Sequence, residues 1–200
     1  MTTWVEPEGG RERGLEGLAK SFTQVLLNPV TFFDEAVSPG DQAPGLVFAM
    51  AVVLVAAGTR VAVDPGAVLA FPTARWLAAA LTVALVVLLV TPAAIHALSA
   101  LQTLALVVVA PSRGGVSETV QVLAYAAAPC VVAGLGVPAV TVLAGVWSFG
   151  LLVVGTTVVH DISPVRAAVA AVAPGVLAFG SGFGAIPAGR TVAASLGLAL

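Results

Sequence analysis

The chain has 200 residues, of which 59% are hydrophobic and 9% charged, and its mean hydropathy is +1.07. Soluble globular proteins carry a charge on about a quarter of their residues, so this composition predicts an integral membrane protein. The net charge is −2 and no run of Lys or Arg occurs. Nucleic acid is therefore excluded as a partner, because phosphate contacts need clustered basic side chains.

The N-terminal region differs from the rest, since ten of the eighteen charged residues stand in the first 42 positions. Residues 1–14 are polar and predict a disordered tail. Residues 15–42 are too polar to cross a bilayer, but apolar residues recur at helical spacing in their first half. An amphipathic helix at the membrane surface is the favoured interpretation, with Phe32 and Phe33 as its bulky apolar pair, and a linker is the alternative.

Two spans are predicted in the first half of the chain. The first covers residues 44–63 and ends at a turn signal over residues 64–66. The second is an uninterrupted apolar run over residues 76–110, which as one helix would measure roughly 52 Å, well beyond a bilayer core of about 30 Å. Its one interruption is Thr91-Pro92, which bends a helix without reversing the chain, so we expect one long, bent helix.

Three more spans and a short tail complete the expected fold. Ser117 is expected to cap the third span, Ser163 the fifth, and Pro129 predicts a kink inside the third. These spans are predicted at residues 118–135, 139–159 and 165–183, and residues 186–200 form a short tail. The fold class is therefore all-α, a polytopic membrane domain over residues 43–185 with five transmembrane helices and an N-terminal amphipathic interfacial helix.

Basic residues orient the five spans, because cytoplasmic loops carry an excess of Lys and Arg. A cytoplasmic N-terminus places five of them inside: Arg11, Arg13, Lys20, Arg113 and Arg166. Arg75 and Arg190 then lie outside. The expected location is the plasma membrane of a prokaryote, as a multi-pass protein whose one certain partner is the lipid bilayer.

Polar side chains within the spans are the candidates for function, because polar groups are costly in lipid. The second span has a polar set at three- and four-residue spacing that is expected to face protein: His96, Ser99, Gln102 and Thr103. The third span places Glu118, Gln121 and Tyr125 on one face. These two faces keep open an alternative function, the transport of a small solute or ion.

Catalytic and metal motifs do not occur in the sequence. His96 and His160 are the groups that titrate near neutrality, and with Glu118 and Asp161 they are the conceivable metal or proton ligands. Neither histidine is paired with a second one at ligand spacing, so a histidine bonded near the headgroups is favoured over a metal-dependent enzyme. We predict no catalytic residue, no metal and no cofactor.

Several short elements together resemble the Yip1-domain family of membrane proteins, in particular its prokaryotic branch. They are Asn28-Pro29 with Phe32-Phe33, His96, Ser117-Glu118-Thr119, Ala124-Tyr125-Ala126, Pro129, Gly145, Trp147, Gly155, His160, Ser163 and Arg166-Ala167. The resemblance implies a five-helix membrane domain with a cytoplasmic N-terminus, and in eukaryotic members binding of Rab GTPases and roles in vesicle traffic. The eukaryotic Asp-Leu-Tyr-Gly-Pro signature is replaced here by residues 28–33, which argues against GTPase binding.

The sequence therefore predicts a non-enzymatic binding or scaffolding protein in membrane organisation, with membrane or cytoplasmic proteins as partners. Its expected functional surface is the cytoplasmic face that carries Glu118, His160, Asp161 and Arg166, with His96 and Tyr125 as further polar candidates. We expect Arg166 to pair with Glu118 or Asp161, because an unpaired charge near hydrocarbon is costly.

Overall fold

The computed structural model describes residues 14–110 and 114–198, and all regular structure in these residues is helical. The α-helices are α1 (Leu15–Leu27), α2 (Pro29–Ala36), α3 (Ala43–Val63), α4 (Arg75–Leu85), α5 (Thr91–Val109), α6 (Val116–Ala126), α7 (Pro138–His160), α8 (Pro164–Gly175) and α9 (Ala185–Ser195). The predicted all-α class is confirmed. The predicted disordered tail lies, except for Gly14, outside the described residues, and so does Arg113.

Four helical stretches are long and apolar enough to cross a membrane, and a bent pair of helices makes a fifth candidate. The four are Ala43–Val63, Arg75–Val109, Pro138–His160 and Pro164–Gly182, and the pair is Val116–Ala126 with Ala128–Leu135. Only 22% to 39% of their most apolar windows is buried within the protein. Large apolar side chains such as Leu104 and Val108 instead cover the outside, which is the surface that lipid requires. The protein is a multi-pass membrane protein.

The predicted second span is one continuous helix of 35 residues, Arg75–Val109. A π-helical segment, Val86–Val90, lies immediately before Thr91-Pro92 and joins α4 to α5. The Thr91 hydroxyl donates to the Val86 carbonyl at 2.8 Å, and the Thr91 backbone N–H bonds the same oxygen. The wider turn thus accommodates a proline that lacks an N–H of its own.

The fifth candidate span is bent by 42° where α6 meets the 3-10 helix Ala128–Leu135, so the kink predicted at Pro129 is present. The 3-10 helix packs directly on α3. A Cβ added to Gly134 would clash with the Ala56 carbonyl oxygen, so only glycine allows this backbone contact. Helix α6 begins at Val116 after Gly115, and Ser117 therefore does not cap it; its hydroxyl accepts a bond from Gly40 instead.

The N-terminal helices α1 and α2 pack one face into the bundle, while Leu15, Leu27 and Val30 stay exposed. Phe32 and Phe33 are almost completely buried in the main core. A Cβ added to Gly155 of α7 would lie 2.9 Å from the Phe33 ring, so the missing side chain makes room for that ring. The predicted amphipathic segment is thus two short helices, of which Val25, Phe32, Phe33 and Ala36 contact the core.

The bundle has two ends, which we name after one residue each. At the His160 end, α7 ends and α8 begins, with the Ser163 hydroxyl accepting from the Arg166 N–H as the predicted cap. At the Arg60 end, α3 ends and α7 begins. The residues predicted to form a short tail contain α9 at this end, and α9 packs against α7 through Gly145 and Ala185.

Candidate functional site

His160 is at the centre of the polar contacts at the His160 end. It lies in the last turn of α7 and is only 1% exposed. Its Nδ1 accepts the Gly114 N–H at 3.1 Å, and its Nε2 lies 3.4 Å from the Thr119 hydroxyl. Since Nδ1 accepts, the neutral ring carries its proton on Nε2. The imidazole therefore fixes the start of α6 to the end of α7.

Gln121 holds the segment that leads from α2 to α3. Its amide is fully buried and makes a two-bond contact with the Ser38 backbone: Nε2 donates to the carbonyl at 2.7 Å, and Oε1 accepts the N–H at 3.3 Å. The same Nε2 also donates to the Ser117 carbonyl at 3.2 Å. The Gly40 N–H donates to the Ser117 hydroxyl at 2.9 Å. Residues 38–40 are thus fixed along the first turns of α6.

Tyr125 belongs to an aromatic cluster and not to an open polar surface. Its ring meets Phe32 edge-on at a centroid distance of 4.9 Å and Phe48 at 5.1 Å. Edge-to-face contacts at these distances are favourable beyond the area that they bury. Tyr125 thereby joins α2 and α3 to α6 in the core.

Glu118 is half-buried and lies beside the loop that His160 holds. A Cβ added to Gly114 in this loop would lie 3.5 Å from Glu118 Oε1 and 3.3 Å from His160 Nδ1. Asp161 and Arg166 are exposed at the same end. Asp161 ends α7 with a left-handed φ of 48°, a conformation that Asp tolerates better than most residues. Among the described residues, no ion pair joins Arg166 to either acid, so the expected pairing is not present.

His96 lies apart from the other candidates. It is exposed on the outside of α5, and its Nδ1 lies 2.7 Å from the Pro92 carbonyl oxygen. At a rise of 1.5 Å per residue, His96 is about 20 Å along the helix from Val109. The prediction that His96 faces protein with Ser99 and Gln102 is wrong. The buried stripe of α5 contains Ile95, Ser99, Gln102 and Leu106, and His96 is rotated by about 100° from Ile95.

A second buried polar contact lies deeper in the bundle, between α5 and α7. Gln102 Nε2 donates to the Thr156 hydroxyl at 2.8 Å, and that hydroxyl donates to the Leu152 carbonyl at 2.6 Å. Both polar side chains are fully buried. The Ser99 hydroxyl and Gln102 Oε1 have no hydrogen-bond partner among the described residues.

The structure thus places Glu118, His160, Asp161 and Arg166 at the His160 end. It buries Tyr125 among the aromatic rings of the core and leaves His96 exposed on the outside of α5. The candidate residues did not include Thr119, Thr156 and Ser38, which complete the contacts of His160, Gln102 and Gln121. The spacing of Thr156 and His160, four residues apart on one helix, was the available signal. Within the described ranges, no three His, Cys, Asp or Glu side chains come together as metal ligands.

The sequence profile of the Yip1 domain matches residues 23–186. The chain belongs to the Yip1 domain family. This membership confirms the resemblance drawn from the short elements between Asn28 and Arg166, while the assignment to a prokaryotic branch stays a prediction. Comparison with curated proteins and with solved structures gave no significant match.

Proposed function

We propose that this Yip1-domain protein is a non-enzymatic binding or scaffolding protein whose His160 end faces the cytoplasm and binds another protein. The main support is that the buried and the exposed polar side chains at that end have different roles. The buried polar side chains of His160 and Gln121 hold backbone segments in place. The charged side chains of Asp161 and Arg166 on the same framework are exposed.

A fixed framework favours binding, because a surface that is already ordered pays less entropy when a partner docks. Three backbone segments meet at this end: residues 38–41, 114–118 and 160–166. Each is tied to a neighbouring helix by a bond from a buried side chain or a cap, as described above. Asp34 and Asp161 add exposed acidic groups to this surface, which suits a partner with basic side chains.

The experiment places a photocrosslinking residue at Arg166, at the His160 end, and in a matched variant at Arg190, at the Arg60 end. Both positions are exposed arginines in the described chain. Irradiation of native membranes should give a discrete protein adduct from position 166 and none from position 190. The charge reversal Asp34→Lys at this end should weaken recovery of the same partner from position 166, because an added positive charge repels a partner with basic side chains. An adduct pattern that is equal at both ends would contradict the proposal.

The orientation is tested separately, in a Cys130→Ala background that removes the buried thiol. Ser163→Cys at the His160 end and Gly66→Cys at the Arg60 end are labelled in whole cells with a membrane-impermeant maleimide. A cytoplasmic His160 end predicts labelling of the Gly66→Cys variant alone. Labelling of Ser163→Cys alone would reverse the orientation.

Transport of a small solute or ion is the second candidate, and one observation favours it. Within residues 14–110 and 114–198, Ser99 and Gln102 each leave one buried oxygen atom without a hydrogen-bond partner between the spans. Such groups mark solute pathways in other membrane proteins. Against it, the polar face of α6 is filled by Ser38 and by the aromatic rings. Proteoliposome flux that is lost in Gln102→Leu but kept in His96→Ala, with both variants folded, would favour transport.

A further inference from the structure

A cavity of about 480 Å³ opens at the Arg60 end, within the range of small-molecule sites. Helices α3, α7 and α9 form part of its wall, through Arg60, Thr141 and Thr191. None of the residues singled out at the His160 end lines it, so an inference about this cavity is independent of the proposed function.

Irregular helical segments form much of the remaining wall. The π segment Val86–Val90 contributes Val86, the 3-10 helix Ala128–Leu135 contributes Gly134, and the π segment Val176–Gly182 contributes Gly182. Inside a membrane, backbone that departs from the α-helix is tolerated where it is buried in protein or lines a cavity, and π turns occur frequently at functional sites. Three such segments around one cavity favour a ligand-binding site over imperfect helix packing.

The chemistry of the wall combines an apolar lining with a few polar groups. Val53, Ala57 and Phe183 are typical of the apolar part. The hydroxyls of Thr141 and Thr191 donate to carbonyls of their own helices, so their oxygens remain available as acceptors. This mixture suits an amphiphile better than a small ion.

Arg60 supplies the charge. It lies in the last turn of α3, where a guanidinium reaches the depth of lipid headgroups. Its Nη2 donates to Asp64 Oδ2 at 2.8 Å, and Asp64 Oδ1 in turn accepts the Gly66 N–H at 2.9 Å. The carboxylate positions the guanidinium, whose other N–H groups can bind a phosphate, the anion that this planar fork matches best.

A second hollow, with an apolar lining of small and branched side chains, lies against the same wall from outside. It is bounded by α3 through Leu54 and Val61, and by the long helix through Val83, Val87 and Leu88. The contact between α3 and the π segment is therefore flanked by a hollow on each side, and the outer one faces the lipid surface of the bundle.

We propose that the cavity binds one membrane phospholipid, with its phosphate on Arg60 and an acyl chain along the apolar wall. The test uses the full chain purified in detergent and native mass spectrometry with three added probes: phosphatidylglycerol, diacylglycerol with the same acyl chains, and inorganic phosphate. Phosphatidylglycerol should bind with a stoichiometry of one, and diacylglycerol should bind about tenfold more weakly, because it lacks the charge-assisted bonds.

Four variants separate the parts of the site. Arg60→Gln should weaken phosphatidylglycerol binding about tenfold, whereas Arg190→Gln, an exposed arginine of α9 outside the cavity lining, should not. Asp64→Asn breaks the same ion pair but keeps the guanidinium, so it should retain most of the binding. Ala57→Phe fills the cavity and should abolish the bound lipid while Arg60 stays in place.

The proposal is overturned by any of three results in variants that keep the wild-type elution profile and melting temperature. These are equal binding of phosphatidylglycerol to the wild type and to Arg60→Gln, equal binding of diacylglycerol and phosphatidylglycerol, and retention of the lipid in Ala57→Phe. Inorganic phosphate that binds as tightly as phosphatidylglycerol and is unaffected by Ala57→Phe would also overturn it, since that site would need no lipid.

Discussion

The contact of Gln121 with the Ser38 backbone gives the sharpest test of the framework at the His160 end. The substitution Gln121→Leu keeps an apolar body of similar size but removes both bonds to Ser38 and the bond to the Ser117 carbonyl. Each intramolecular hydrogen bond contributes about 1 kcal/mol net. Loss of the two Ser38 bonds should therefore lower the free energy for opening residues 38–40 by about 2 kcal/mol.

Hydrogen exchange measures this opening directly, because the Ser38 and Gly40 N–H groups are both donors in these contacts. A change of about 2 kcal/mol corresponds to roughly thirtyfold faster exchange in a peptide that covers residues 38–40. Peptides from the middle of α7 should be unchanged. Gln42→Leu is the matched control, because the Gln42 side chain makes no hydrogen bond within the described chain.

Two results would refute the reasoning. Exchange at residues 38–40 that is the same in Gln121→Leu and in the wild type would show that the Gln121 bonds do not hold this segment. An equal acceleration in Gln42→Leu would show that the effect comes from added apolar surface and not from lost bonds.

Two further predictions concern the core. Gly155→Ala should destabilise the protein by about 1–3 kcal/mol through overpacking, since its Cβ would lie 2.8 Å from Val122 Cγ1. Gly150→Ala should be close to neutral, because nothing lies within 4 Å of the added Cβ. Thermal unfolding in detergent compares the two variants, and equal melting temperatures would contradict this account. Thr156→Val should cost about 1–3 kcal/mol because it leaves the buried Gln102 amide without its acceptor. Thr157→Val removes a buried hydroxyl that has no hydrogen-bond partner in the described part of the chain, so it should cost less or stabilise. The reverse order in the same assay would be evidence against a structural role for the Gln102 contact.

Hydropathy was sufficient to predict the all-helical membrane architecture, because the bilayer requires long apolar stretches and the sequence reports them directly. The Ser163 cap and the bend near Pro129 were also predictable, since each depends on one residue and its immediate neighbours. The position of the N-terminal helices was not. Apolar side chains such as Phe32 and Phe33 suit contact with protein and contact with lipid equally well. The one sequence feature that favours protein is Gly155, which leaves room for the Phe33 ring.

The candidate site was predictable in part, for a similar reason. His160 and Glu118 share an end of the bundle because each stands at a helix terminus, which hydropathy locates. The direction of His96 was predicted wrongly, because its three-residue spacing from Ser99 does not decide whether the buried stripe begins at Ile95 or at His96. The cavity at the Arg60 end depends on three irregular segments, and the sequence carries no pattern that distinguishes a π turn from an α turn.

The π segment Val86–Val90 places one more residue in the long helix than a regular α-helix would need there. One residue corresponds to about 100° of rotation, so everything from Thr91 onward is turned by that angle relative to α4. Removal of a single residue from this segment would swing Ser99 and Gln102 away from α7 toward the lipid. The segment should therefore accept many apolar side chains in evolution, yet its length should be as invariant as a catalytic residue would be in an enzyme.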